Sequence, residues 1–187
     1  MRQASTPVRS LHKMGLAINL GGTLFGLLAL NPSVARIADR SERGRVLDEA
    51  WMRFQTIGTL AMGVTVATWR LGGLKEAEGD IDSTLAGVKN VLLGGALIAS
   101  VASAIAGRRI AGQAPEQAPE GATPVESGAE PAPETPDEAA RWQRLSAFLG
   151  AATVALVAGV LGLSSALEVR AVAKMEKSRG FLPRLFG

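Results

Sequence analysis

Cysteine and tyrosine are absent from this chain, and histidine occurs once. Without cysteine there is no disulfide framework, no zinc ribbon and no thiolate-held iron–sulfur cluster. One histidine and five methionines cannot close a metal site within a single chain. Aromatic residues are only 4% of the 187, against 22 glycines. So small a stock of bulky side chains argues against a large soluble enzyme core. Nor is there a nucleophile elbow, a phosphate loop or a paired intramembrane carboxylate, so the chain reads as non-enzymatic.

Basic residues are missing from one stretch. Residues 113–138 hold seven acids, six of the nine prolines and no Lys or Arg. The rest of the chain therefore carries 20 basic against 10 acidic residues. A basic excess in a soluble protein suggests nucleic acid, but here no aromatics interleave with Lys and Arg on one face. The basic residues flank apolar runs instead, which is their place in membrane proteins, so a nucleic-acid partner is excluded and the lipid bilayer is expected.

Four blocks contain no charge: Met14–Ala35, Phe54–Trp69, Asn90–Gly107 and Leu145–Leu167. About 20 helical residues cross a hydrocarbon layer of roughly 30 Å. The first and last blocks suffice outright. The second and third need their flanks, with Arg70 snorkelling to the interface. With no water to satisfy the backbone, each block must be a helix. The first block is too long and too polar (Asn19, Asn31, Pro32) for a cleaved signal core and reads as a retained span.

The expected fold is all-α: a polytopic four-transmembrane-helix bundle with a disordered acidic Pro-rich loop between helices 3 and 4. A basic flank (1–13) precedes helices 1–3 (14–112). The Ala/Pro/Glu-rich loop (113–138), helix 4 (139–168) and a basic tail (169–187) follow. Asn31-Pro32 should break or kink the first helix. Trp51, Trp69 and Trp142 read as interfacial anchors, and Lys89 as a helix-end charge that snorkels.

Lipid tails are as apolar as Leu, so small residues must bring such helices together. Gly22 and Gly26 are four apart in the first helix, and Gly95, Ala99, Ser103 and Gly107 form a stripe in the third. In the fourth, Ala151, Ala155 and Gly159 make one stripe and Ala158, Gly162 and Ala166 another. These faces serve contacts within the chain, a homo-oligomer or a partner in a membrane complex. His12 is the one candidate metal ligand, for copper or as a single axial haem ligand. Asn19, Thr23 and Thr65 form a candidate polar path. No catalytic residue and no required cofactor is read from the residues.

Certain motifs resemble a known family. Leu11-His12, Gly21-Gly22, Phe25 and Pro32 are similar to the first helix of copper-resistance-D-like integral membrane proteins. Arg53-Phe54, Gly58 and Ala61 resemble its second helix, and Lys89 through Leu92 to Arg108-Arg109 its third. Arg141 to Leu167 resembles its fourth. The resemblance spans residues 11–168 and implies a four-helix membrane fold, a link to copper handling and a histidine at His12. The chain departs from the family in having no further histidine and Asn19-Leu20 where a Trp often precedes the Gly-Gly pair.

Three roles are consistent with these residues. One is handling of copper or another small solute along the path near His12. Another is scaffolding through the small-residue faces, and the third is haem-based redox chemistry with a second axial ligand from another chain. The excess of Arg over Lys, 15 to 5, points to a bacterial inner membrane. The distribution of Lys and Arg between alternate loops, 11 against 9, places both termini in the cytoplasm.

Overall fold

A computed structural model describes residues 5–113 and 122–181, with side chains described as far as residue 178. The described chain is helical nearly throughout. Helix α1 runs over Thr6–Phe25 with Pro7 in its first turn, where a missing N–H costs nothing. The chain stays helical through Pro32. A π-turn spans Gly26–Leu30, the Asn31 amide reaches back to the Gly26 carbonyl, and α2 (Asn31–Ser33) and a 3₁₀ turn (Val34–Arg36) follow. The expected break at Pro32 is thus replaced by a widened turn just before it, which absorbs the lost donor and the ring's bulk.

Asp39 caps α3 (Arg40–Arg70), accepting from the Glu42 amide at 2.8 Å. Gly73, at φ +71°, reverses the chain into the short α4 (Leu74–Gly79), a backbone position that suits glycine. Asp82 caps α5 (Ser83–Ala111) from the Leu85 amide at 3.0 Å. Helix α6 (Asp137–Phe181) has 45 residues, roughly 67 Å of helix against a layer of about 30 Å. Its last turns, from Val169 on, have largely exposed side chains but stay against the α4–α5 turn, where Arg170 pairs with Asp82 and Lys174 Nζ donates to the Asp80 carbonyl at 2.7 Å.

The four long helices run alternately up and down. Helix α5 packs most extensively on α6 and α1 on α3, while α1 also meets α6 and α3 barely touches α5. Leu16, Met62, Leu93, Ala96, Val157 and Val160 form the core between them. Lys13 on α1 pairs with Glu168 on α6 at 2.6 Å, so the start of the first long helix and the end of the membrane-length part of the last lie at one end of the bundle. Large apolar side chains cover the outside: Ile18 and Phe25 on α1, Leu28 in the π-turn, Ile57 and Leu60 on α3, Val91 and Ile98 on α5, Phe148 on α6. That is the inverse of a water-soluble surface.

Three helices are long and apolar enough to cross a membrane: Thr6–Arg36, Ser83–Ala111 and the apolar part of α6. Helix α3 is not among them. Its first third is charged, and Gln55, Thr56, Thr59, Thr65 and Thr68 dilute the rest.

The loop expected to be disordered lies partly outside the described residues, over 114–121. Its described half, 122–136, is an ordered strap across the end of the bundle where α1 ends and α3 begins. The Val125 amide donates to the Arg40 carbonyl (3.1 Å) and the Gly128 amide to the Asn31 carbonyl (3.2 Å). Val125 packs against Val34 and Leu47, and Thr135 Oγ1 donates to the Pro124 carbonyl at 2.6 Å. The strap's four prolines (Pro124, Pro131, Pro133 and Pro136) suggest disorder from sequence, yet they also remove backbone donors that a fixed strap would have to satisfy.

The small residues do pack within the chain in part. A side chain on Gly22 would strike the Phe54 ring, and one on Gly26 the Trp51 ring. Gly95 faces Leu156, and Gly159 faces Leu92 at 3.0 Å from where a Cβ would stand. Ala99 is buried, and Ser103 lies 3.4 Å from Ser146, hydroxyl to hydroxyl. Ala155 and Gly162 lie on the exposed side of α6, and a side chain on Gly107 or Gly162 would meet only open space.

Candidate functional site

The residues singled out from the sequence fall into two places. His12 and Thr65 belong to a packed polar cluster at the Lys13–Glu168 end. His12 Nδ1 lies 3.1 Å from both the Thr65 carbonyl and Thr68 Oγ1. A carbonyl can only accept, so Nδ1 carries the proton and Nε2 is the bare nitrogen. Nε2 is buried and bonds to nothing among the described residues. Beside it, Lys89 is fully buried and held by both carboxylate oxygens of Glu78, at 2.8 and 2.9 Å. The Trp69 ring centroid is 4.6 Å from the ammonium, and its indole N–H donates to Asn90 Oδ1 at 3.3 Å. Lys89 therefore does not snorkel and Trp69 is not an interfacial anchor, because α4 folds back to bring Glu78 over the ammonium.

Within the described residues this cluster assembles no three-ligand copper site of its own: no three His, Cys, Asp or Glu side chains stand close enough to share an ion. Lys89 lies beyond the Trp69 ring that stacks near His12, so a metal cation there would meet a positive charge close by. Nor is His12 among the residues of the bundle's large cavity, where a haem would need room.

That cavity is the second place. About 700 Å³ lies in the gap that α3 and α5 leave between them, within the range of small-molecule sites. Polar residues reach it from every long helix at helical spacing. Asn19 and Thr23 come from α1, Asn31 from α2, and Asp48 and Gln55 from α3. Ser100, Ser103 and Arg108 come from α5, and Gln143, Ser146 and Thr153 from α6. Leu27, Leu47, Trp51 and Phe54 supply apolar wall, and Thr123, Val125 and Gly128 of the strap form the roof. Gly107 leaves space on its side, and Gly44 lets the strap close in, since a Cβ there would collide with the Thr123 carbonyl.

Most of the polar groups have partners. Asn19 Nδ2 donates to the carbonyls of Gly15 (3.0 Å) and Gly58 (3.3 Å), which ties α1 to α3. Asn31 Oδ1 accepts from the Trp51 indole at 3.1 Å. The strap is clasped by charge. Arg43 donates to the Glu126 carbonyl (2.9 Å) and Oε1 (3.1 Å), Arg40 to Glu126 Oε2 (2.9 Å) and Glu134 Oε1 (2.7 Å). The hydrogen bond from Arg43 and the charge of Arg40 hold the Glu126 carboxyl below its ordinary range. Gln143 Nε2 donates to the Ser127 carbonyl at 2.7 Å.

Thr23 and Gln55 line the chamber with no side-chain partner among the described residues, but each can donate or accept. Two further groups are bare acceptors. Gln143 is 4% exposed, and its Oε1 accepts nothing from the described residues. Asp48 has no ion pair or hydrogen bond with the described residues, and burial pushes its carboxyl up to about 6. A raised carboxyl binds its proton more tightly folded than unfolded, so the stabilisation is full at low pH and is lost as pH rises through 6. Asp48→Asn should therefore melt higher than the native chain at pH 8, with the difference shrinking as pH falls through 6 and closing only below the unfolded value of 3.8. Since Asp48 is part-exposed, the gain should be about 1–2 kcal/mol rather than the full shift. Equal melting temperatures across that range would show Asp48 to be solvated.

Sequence reasoning had reached Asn19 and Thr23 but not Asp48 or Gln143. The signal was present on α3: Gly44, Asp48, Trp51, Gln55 and Gly58 recur at spacings of four and three, one helix face, and all line the cavity. Comparison with family models, curated proteins and solved structures finds no match. The geometry defines an all-helical protein with three membrane-length helices around a polar-lined chamber.

Proposed function

We propose that the protein is a non-catalytic, multi-pass membrane protein that binds a small solute in the chamber between α3 and α5. One observation carries this reading. In a bundle whose outside is apolar, the polar stripes of four helices converge on one strap-covered space of about 700 Å³. Polar side chains at membrane depth are costly unless they serve a pathway or a partner.

In this reading α3 is the fourth crossing. Its packing along α1 and the outward Ile57, Leu60 and Val64 support it, since a helix lined with polar groups crosses a bilayer only with its polar face turned inward. Four crossings return both termini to one side. The basic end of α6, with exposed Arg170, Lys174 and Lys177, fits the anionic cytoplasmic face of a bacterial inner membrane. Solute handling is kept from the resemblance to copper-resistance-D-like proteins, but His12 is assigned a structural role.

Gly107→Phe places a ring in the chamber without a clash at its Cβ. Native mass spectrometry of protein taken from its own membrane should show the wild type carrying a bound small molecule and the variant empty. An empty wild type, with the variant identical, would overturn the reading. The scaffolding alternative is favoured by one observation, the small residues Ala155, Ala158, Gly162 and Ala166 exposed along α6. The same spectrum decides it by showing a stoichiometric second chain.

A further inference from the structure

Resting on the chamber as the binding site, we infer that its occupant is an organic cation: an ammonium group on an apolar body, held by Asp48 and Gln143. The inference comes from what the chamber's polar groups lack. The arginines at its strap end are matched by Glu126 and Glu134. The hydroxyls of Ser100 and Thr153 donate to the carbonyls of Ala96 and Leu149 within their own helices, at 2.8 and 2.9 Å. Asn19 and Asn31 are engaged as described.

Thr23 and Gln55 also line the chamber without a side-chain partner among the described residues, but a hydroxyl or an amide can turn either a donor or an acceptor to a ligand. Asp48 and Gln143 Oε1 offer acceptors alone. Gln143 Oε1 is a buried carbonyl oxygen with no donor in reach. Its own amide nitrogen is fixed on the Ser127 carbonyl, so the side chain cannot turn over to offer a donor instead. Asp48 is largely ionised at neutral pH, given a carboxyl that titrates near 6, and a carboxylate only accepts. A buried acceptor left bare costs about 1–3 kcal/mol, and a desolvated carboxylate more. A ligand that brings N–H donors and positive charge satisfies both at once. An anion meets Asp48 as a like charge, and a neutral apolar molecule leaves both groups bare.

Arg108 also lines the chamber, but it is exposed at the rim, where solvent screens its charge. No ion pair joins it to Asp48 among the described residues. The apolar body has its own complement in Leu27, Leu47, Trp51 and Phe54. The volume suits a ligand with a ring system rather than ammonium alone.

The test uses the full chain in detergent and three dansyl probes of similar size: the primary amine dansylcadaverine, the neutral N-hexyl dansylamide and the acid dansyl-6-aminohexanoate. Dansyl fluorescence reports binding. The amine should saturate at one per chain and bind about ten-fold or more tighter than the other two, the scale of a hydrogen bond to a charged group. Asp48→Asn should erase that preference, and Gln143→Leu should weaken the amine several-fold. Both variants should keep the native helical circular dichroism, which separates lost binding from lost folding. If the three probes bind equally, or Asp48→Asn changes nothing, the cation assignment is wrong. In that case the chamber reading still stands if Gly107→Phe abolishes binding of all three. If no probe saturates, the cation assignment falls as well.

Discussion

Lys89→Met is expected to destabilise the folded protein by about 3–5 kcal/mol, the cost of stranding one partner of a buried ion pair. Lys89 is 0% exposed and Glu78 4%, so the carboxylate left behind has no water to turn to. The Trp69 ring would also lose the ammonium above it. The double variant Glu78→Met/Lys89→Met should recover most of the loss, because two apolar side chains of similar length need no partner. Thermal unfolding in detergent, followed by helical circular dichroism, reads both. A single variant that melts like the native chain would mean that α4 does not cover Lys89. A double variant as weak as the single would mean that the pair itself, not the stranded charge, holds this end together.

The same pair shows what could be read from the sequence. Lys89 was visible as a charge at the start of an apolar block, and the general expectation for such a residue is to reach for the interface. What reverses it is the six-residue α4, set by the turn at Gly73, and no periodicity announces a helix that short. The long helices were legible because about 20 uncharged residues leave few alternatives. Their true ends were not, since Asp39 and Asp82 start α3 and α5 well before the charges stop. The packing glycines at 22, 26, 95 and 159 were legible as spacing, and only the structure shows which side chain each admits. The chamber was half legible. Asn19 and Thr23 stood out as polar residues in an apolar block. Asp48 was hidden among four acids and five arginines, where Glu42 pairs with Arg45 and Glu49 with Arg53. Telling the one acid that faces inward from those that pair along the surface requires the fold.

The strap is the other feature that composition concealed, and Gly44 is where it can be tested. A valine at Gly44 should destabilise the strap-covered end by about 3 kcal/mol, at the upper end of what overpacking costs. Its Cβ would run into the Thr123 carbonyl oxygen, and the obstacle is backbone, not the tip of a movable side chain. Either α3 must shift, which pulls Leu47 from Val34 and Val125, or the strap must lift. Lifting requires giving up the Val125–Arg40 backbone bond and the bonds of Arg43 to Glu126. Limited proteolysis between 122 and 136 should therefore quicken in Gly44→Val. It should stay slow in Gly107→Val, where the added side chain meets nothing within 4 Å. The two outcomes also bear on the chamber, because Thr123, Val125 and Gly128 roof it. A lifted strap leaves Asp48 in place but removes the cover, so the amine probe should leave faster with little change in its preference over the neutral probe. If proteolysis is unchanged, the strap does not depend on close approach at Gly44. If preference is lost along with residence time, the strap positions Gln143 through Ser127 as well as covering the chamber.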